Sequence, residues 1–185
     1  MNIFAFDSKS SEDGMSERTV DELINAAFTM SKPKTGALIV IERNENLAYI
    51  EKTGILINGI VSSQLLINIF EHNTPLHDGA VLIRGNTIVS ATCYLPLSEN
   101  MRISKDLGTR HRAAIGISEV SDSVTIVVSE ETGRVSVAIG GNLIKVNDGE
   151  ELKKELSVLL EDGKEDKKVS LLSKLLKGRG NDKDK

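Results

Sequence analysis

Apolar residues fall into short blocks along this chain, and the spacing within each block predicts its element. Between residues 16 and 31, Val20, Leu23, Ile24, Ala27 and Phe28 recur at helical spacing, which predicts a helix that Pro33 stops. Gly36-Ala37-Leu38-Ile39-Val40-Ile41 is a continuous run rich in β-branched side chains, the pattern of a buried central strand. Residues 48–50 and 55–57 read as short strand pieces around Gly54. Residues 62–70 read as a helix with serine at its start as N-cap. Pro75 restarts the chain in an extended form, and residues 79–83 make the next strand. Arg84-Gly85-Asn86 then turns the chain into a hairpin partner over residues 87–95.

The second half repeats this alternation. Residues 96–105 read as a polar loop, and a helix over 111–118 is entered through Gly108-Thr109. Residues 124–128 are a buried strand, Glu130-Glu131-Thr132-Gly133 a turn, and residues 134–139 the returning strand. Gly140-Gly141-Asn142 turns again before a strand over 143–146. Residues 148–160 carry Leu152, Leu156, Leu159 and Leu160 on one helical face. Residues 1–15 read as a flexible leader, and 161–185 as a charged, disordered tail in which 169–176 form at most a turn or two of amphipathic helix. No internal repeat is present. The order of elements predicts one globular α/β domain over residues 16–160, with a central mixed β-sheet flanked by helices.

Composition narrows the function. A length of 185 residues fits one domain plus tails, and 39% hydrophobic residues suffice for a core. There is no Trp, and only two Tyr and four Phe, so the chain lacks the aromatic platforms on which single-stranded nucleic acids stack. The formal net charge of -4 also argues against a nucleic-acid partner, so the positive charge that matters must be local. The single cysteine, Cys93, lies in an apolar run and reads as a buried thiol in a reducing, cytoplasmic protein. No apolar stretch is long enough to span a bilayer, and the N-terminus does not read as a signal peptide.

Two polar clusters stand out among the apolar blocks. In Leu76-His77-Asp78-Gly79-Ala80, Asp78 precedes a predicted strand. It is either a turn aspartate, or a hard oxygen ligand for Mg²⁺ or Mn²⁺ or a partner for a substrate hydroxyl, with His77 as a second metal contact and Gly79 admitting a ligand close to the backbone. In Gly108-Thr109-Arg110-His111-Arg112-Ala113-Ala114, two guanidiniums, an imidazole and a hydroxyl occupy four consecutive positions at a predicted helix N-terminus. A solvated basic face is one reading. The other is a phosphate site, because free N–H groups and the helix dipole favour anions there and Arg adds bidentate geometry. Ser129-Glu130-Glu131 is either an ordinary acidic turn or a place where Ser129 meets phosphate and one glutamate nears a metal. Tyr94-Leu95 is either a strand end or an apolar wall for a purine.

Taken together, the motifs from about Met30 to Ile139 closely resemble the diadenylate cyclase domain. The likeness rests on Pro75-Leu76-His77-Asp78-Gly79-Ala80, Cys93-Tyr94-Leu95-Pro96-Leu97-Ser98, Leu107-Gly108-Thr109-Arg110-His111-Arg112-Ala113-Ala114 and Val128-Ser129-Glu130-Glu131-Thr132-Gly133. The wording between motifs is most like the membrane-anchored bacterial type. That type has transmembrane helices ahead of the domain and none is readable here, so the chain is either a fragment or a soluble relative.

The resemblance implies that two ATP molecules condense to cyclic di-AMP with release of two pyrophosphates, assisted by Mn²⁺, Mg²⁺ or Co²⁺. Asp78 would help bind metal and orient or activate the 3′-hydroxyl, with Gly79 and Ala80 beside the nucleotide. His77 and Glu131 are candidate metal contacts. Thr109, Arg110 and His111 would hold phosphates, Arg112 would support the loop, Ser129 and Glu130 would meet substrate, and Tyr94 and Leu95 would border adenine. One domain holds one ATP, so catalysis implies at least a transient face-to-face homodimer. A non-catalytic adenine-nucleotide sensor of the same fold is the alternative.

Overall fold

The structure is a computed structural model that describes residues 14–100 and 107–160. Its centre is a seven-stranded mixed sheet in the order β2-β4-β3-β1-β5-β6-β7. The strands are β1 (Ala37–Glu42), β2 (Ile55–Ile60), β3 (Ala80–Arg84), β4 (Thr87–Cys93), β5 (Val124–Val128), β6 (Val135–Ile139) and β7 (Asn142–Val146). β1 runs parallel to β3 and antiparallel to β5, and every other pairing is antiparallel.

Helices cover both faces. α1 (Glu17–Ser31), α3 (Ser63–Phe70) and a helix over 149–160, α5, pack on one side. α2 (Ala48–Glu51) and α4 (Thr109–Val120) pack on the other. The central strands read as unbroken apolar runs because both faces are buried: Ile39, Ile41, Val81 and Ile83 face the side covered by α1 and α3, while Leu38, Val40, Ala80 and Leu82 face the side covered by α2 and α4. Serines cap both amphipathic helices, at Ser62 as the sequence predicts and at Ser16 as well. The Ser16 hydroxyl accepts the Thr19 N–H and the Ser62 hydroxyl accepts the Leu65 N–H.

Some sequence expectations change. Residues 48–50 are helical, not a strand piece. Side-chain acceptors decide it: Glu42 Oε2 takes the Leu47 N–H and Asn46 Oδ1 the Ala48 N–H, each at 2.8 Å, which launches one short helical turn. The segment after Pro75 is bent rather than extended, and His77 folds its Nδ1 back to within 2.6 Å of the Thr74 carbonyl. The strand expected at 55–57 runs on to Ile60, across a bulge between Leu56 and Gly59. Residues 1–13 of the expected leader, 101–105 of the polar loop and the tail lie outside the described residues. Among the described residues, no helix is long and apolar enough to cross a membrane.

Antiparallel and parallel pairings together decide where the chemistry gathers. Ala37 pairs with Val128, Ile39 with Val81, and Ala80 with Cys93. The entrances to β1 and β3 and the exits from β4 and β5 therefore share one end of the sheet. Gly36, Asp78-Gly79, Tyr94-Leu95 and Ser129-Glu130-Glu131 all flank that end.

Candidate active site

α4 brings the basic cluster to the same end. Its N-cap is Gly108, so Thr109, Arg110 and His111 occupy its first turn, where backbone N–H groups lack helical acceptors. The helix can lie deep because its middle is small. Ala113, Ala114 and Ile117 face the sheet, and a Cβ on Gly116 would stand 2.1 Å from the Pro96 carbonyl oxygen. The loop after β4 crosses the helix at that point, held by the Ser98 N–H donating to the Arg112 carbonyl at 3.0 Å.

A cleft of about 420 Å³ opens where the first turn of α4 meets the turn after β5. Thr109, Arg110 and His111 line one side, and Ser129, Glu130 and Glu131 the other. Its size falls in the usual range for a small-molecule site. Arg110 Nη1 pairs with Glu130 Oε2 at 2.6 Å. The glutamate is half exposed, so the pair is worth roughly 0–1 kcal/mol and can yield to a phosphate. His111 is buried, and that burial, opposed by Glu131 and reinforced by Arg110, holds its pKa below the ordinary 6.5. At neutral pH the imidazole is uncharged and has one donor and one acceptor nitrogen.

Ser129 organises the turn. Its hydroxyl oxygen accepts the N–H groups of Glu131 at 3.3 Å and Thr132 at 3.2 Å, which leaves its own proton available to a ligand. Gly133 closes the turn at φ +73°, a conformation that favours glycine.

Asp78 stands apart from the cleft, at the entrance to β3. It is exposed, and its carboxylate makes no hydrogen bond or ion pair among the described residues. Gly79 has φ +106°, and a Cβ there would lie 2.8–2.9 Å from the Thr92 backbone. Glycine is thus required by the local crossing of β3 and β4, whatever passes close to it on the other side. Thr92 itself sits at φ +57°, an uncommon conformation for a β-branched residue. Ala80 is buried, Leu95 half-buried and Tyr94 77% exposed, its N–H held by Thr53 Oγ1 at 2.9 Å.

The sequence-nominated residues therefore form two groups at one sheet end. Thr109, Arg110, His111, Ser129, Glu130 and Glu131 share the cleft. His77, Asp78, Gly79, Ala80, Tyr94 and Leu95 flank it without lining it, as does Arg112, whose carbonyl anchors the loop. No cluster of three or more His, Cys, Asp or Glu side chains occurs among the described residues, so His77, Asp78 and Glu131 do not gather into one metal cage. Sequence reading missed Arg134, Ser136 and Lys145 on the cleft wall. Ser136 and Lys145 are cross-strand partners on β6 and β7, a pairing visible only once register is known.

This architecture, a mixed sheet with a phosphate-suited helix start at one end, matches known proteins. The chain belongs to the family described as DisA bacterial checkpoint controller nucleotide-binding, which matches residues 24–143. It is 56% identical over 140 residues to the cyclic di-AMP synthase CdaA of Bacillus subtilis, covering 76% of this chain and 51% of that protein. It is 55% identical over 137 residues to a diadenylate cyclase of Listeria monocytogenes, covering 74% of this chain and 50% of the relative. The chain thus spans about half the length of these curated relatives. The crystal structure of a double mutant of DacA from Staphylococcus aureus superposes with a TM-score of 0.75 at 46% identity, over 77% of this chain and 95% of the other.

Proposed function

We propose that this domain is a diadenylate cyclase that condenses two ATP molecules into cyclic di-AMP and two pyrophosphates. The observation that carries the reading is that Asp78, a carboxylate without a partner among the described residues, flanks the same sheet end as the first turn of α4. The former suits a hydroxyl nucleophile and a hard cation, the latter a polyphosphate.

In this reading the phosphates enter the cleft along the α4 N-terminus. Arg110 exchanges Glu130 for phosphate oxygens, Thr109 and the free backbone N–H groups add donors, and Ser129 donates its remaining proton. His111 offers a neutral donor that gains charge as phosphate approaches. Tyr94 and Leu95 border the adenine, next to the backbone of Gly79 and Ala80.

Asp78 orients the 3′-hydroxyl and accepts its proton as the oxygen attacks the α-phosphorus of the other ATP. The bond from that phosphorus to the pyrophosphate oxygen breaks, and pyrophosphate leaves. The protein's contribution is positioning and charge neutralisation. A divalent cation, Mn²⁺, Mg²⁺ or Co²⁺, supplies charge neutralisation on the phosphates and the departing pyrophosphate. Asp78 would offer such an ion one hard oxygen, with His77 next to it in the chain, and because Glu131 does not gather with them most of the ion's ligands would have to come from the phosphates and water.

Each ATP supplies one nucleophile and one electrophile. Two domains must meet face to face, most simply as a two-fold homodimer. The test is chromatography of ATP incubations with each metal and without any. Cyclic di-AMP formed only with metal supports the proposal. ATP bound but unchanged with every metal would assign the chain to nucleotide sensing instead.

A further inference from the structure

Arg110 rests on a strand end that carries no side chain. Gly36 immediately precedes β1, and a Cβ built on it would lie 2.8 Å from Arg110 Cζ, 2.9 Å from Nη1 and 3.1 Å from Nε. Three guanidinium atoms at nearly equal distance describe a planar group lying face-on over the gap. Gly36 does not adopt a positive φ, so its backbone would accept alanine. What excludes a side chain here is the space that Arg110 fills.

The direction is fixed by the strand. Leu38 and Val40 point to the α4 side, and alternation sends position 36 the same way. The surroundings are fixed as well. The Thr35 N–H donates to the Met30 carbonyl at 2.9 Å, closing the turn between α1 and β1. The Ser31 hydroxyl donates to the Gly133 carbonyl, which ties that turn to the one bearing Glu130. Gly36 thus holds the guanidinium from below while Glu130 holds it from the side, at the end of a strand flanked by β3 and β5.

We propose that Gly36 is a positioning residue for phosphate binding: its missing side chain is the seat that holds the Arg110 guanidinium between the strand end bearing Asp78 and the one bearing Ser129. The inference rests on the reading of Arg110 as a phosphate ligand. Alanine at 36 displaces the far end of a flexible side chain, not the backbone, so it misplaces the cation while leaving the fold intact.

The test measures affinity for a non-hydrolysable ATP analogue with Mg²⁺, together with the melting temperature, for Gly36→Ala alone and in an Arg110→Ala background. The expected result is binding weaker by about tenfold or more, as for displaced charge-assisted hydrogen bonds. The melting temperature should stay within about 2 °C of the parent. In the Arg110→Ala background the substitution should add no further loss, because its effect acts through that side chain. An equal loss in both backgrounds, undiminished binding, or a melting temperature lowered by about 5 °C or more overturns the proposal. If the unaltered chain itself fails to bind the analogue, the reading of the whole site fails. If it binds normally and Gly36→Ala matches it, only the role of Gly36 does.

Discussion

Single residues carry the chemistry here, and their surroundings set what each can do. Asp78 is exposed and without a partner among the described residues, so removing its charge costs the fold little. Asp78→Asn should lower the rate of cyclic di-AMP formation by about 10²-fold or more, as loss of a proton acceptor does, with the melting temperature unchanged. A variant that keeps the parental rate would remove Asp78 from the mechanism.

His111 sets a pH dependence whose sign follows from its burial. Its folded pKa lies below 6.5, so between that value and 6.5 the unfolded chain binds the proton and the folded chain does not. Stability is fully present above 6.5 and falls as pH drops through the folded pKa. Denaturant unfolding of His111→Gln should show a flatter pH profile across this window than the parent. Triphosphate in the cleft favours the charged ring, so ATP-analogue binding near pH 6 should take up protons, readable as a buffer-dependent heat of binding.

At the scale of elements, α4 is the part whose placement matters most. It is buried from Ala113 to Ser118, with small residues turned both to the sheet and to the crossing loop. Gly116→Ala should drive the Pro96–Ser98 crossing off the helix and destabilise the protein by about 1–3 kcal/mol, measured by denaturant unfolding. Activity should fall with it, because the loop continues from Tyr94 and Leu95. In β5, the buried Thr125 hydroxyl has no hydrogen-bond partner among the described residues. Thr125→Val should therefore be neutral or stabilising by up to about 1–2 kcal/mol, since it removes an unsatisfied polar group at nearly constant volume.

Element boundaries were largely legible in the sequence where a block was long and its burial simple. The two-faced strands at 36–41 and 124–128, the periodic helix at 16–31 and the serine-capped helix at 62–70 declared themselves. The helical turn at 48–51 did not, because one turn has no periodicity and its starting acceptors are side chains of Glu42 and Asn46. The segment after Pro75 misled for a related reason: proline restricts its predecessor, but the bends that follow depend on Thr74 accepting from the His77 region.

For the whole molecule, the proposed condensation of two ATP molecules calls for two copies, and that part of the proposal is tested by concentration. Specific activity should rise with protein concentration and then level off, as dimers fill, in initial-rate measurements over a dilution series. Excess Arg110→Ala chain should inhibit the parent by drawing it into mixed dimers. Rates strictly proportional to concentration over the whole series, with no inhibition by the variant, would sink the face-to-face dimer.

By itself, the sequence determined which residue types could do this chemistry and most of the elements that carry them. Motifs such as Asp78-Gly79-Ala80 and Thr109-Arg110-His111-Arg112 are local strings, and so are apolar periodicity and capping serines. Only the tertiary structure decided which strings meet. Antiparallel β1–β5 pairing beside parallel β1–β3 pairing places the entrance to β3 and the exit from β5 at one end of the sheet. That packing also separates the cleft residues from Asp78 and adds Lys145 to the wall through its pairing with Ser136. It gives Gly36 a meaning that no spacing rule assigns, because a glycine that admits a side chain from another element leaves no mark in its own neighbourhood. Register and crossing are set by long-range contacts, which sum over the whole core and cannot be read from any one window of the chain.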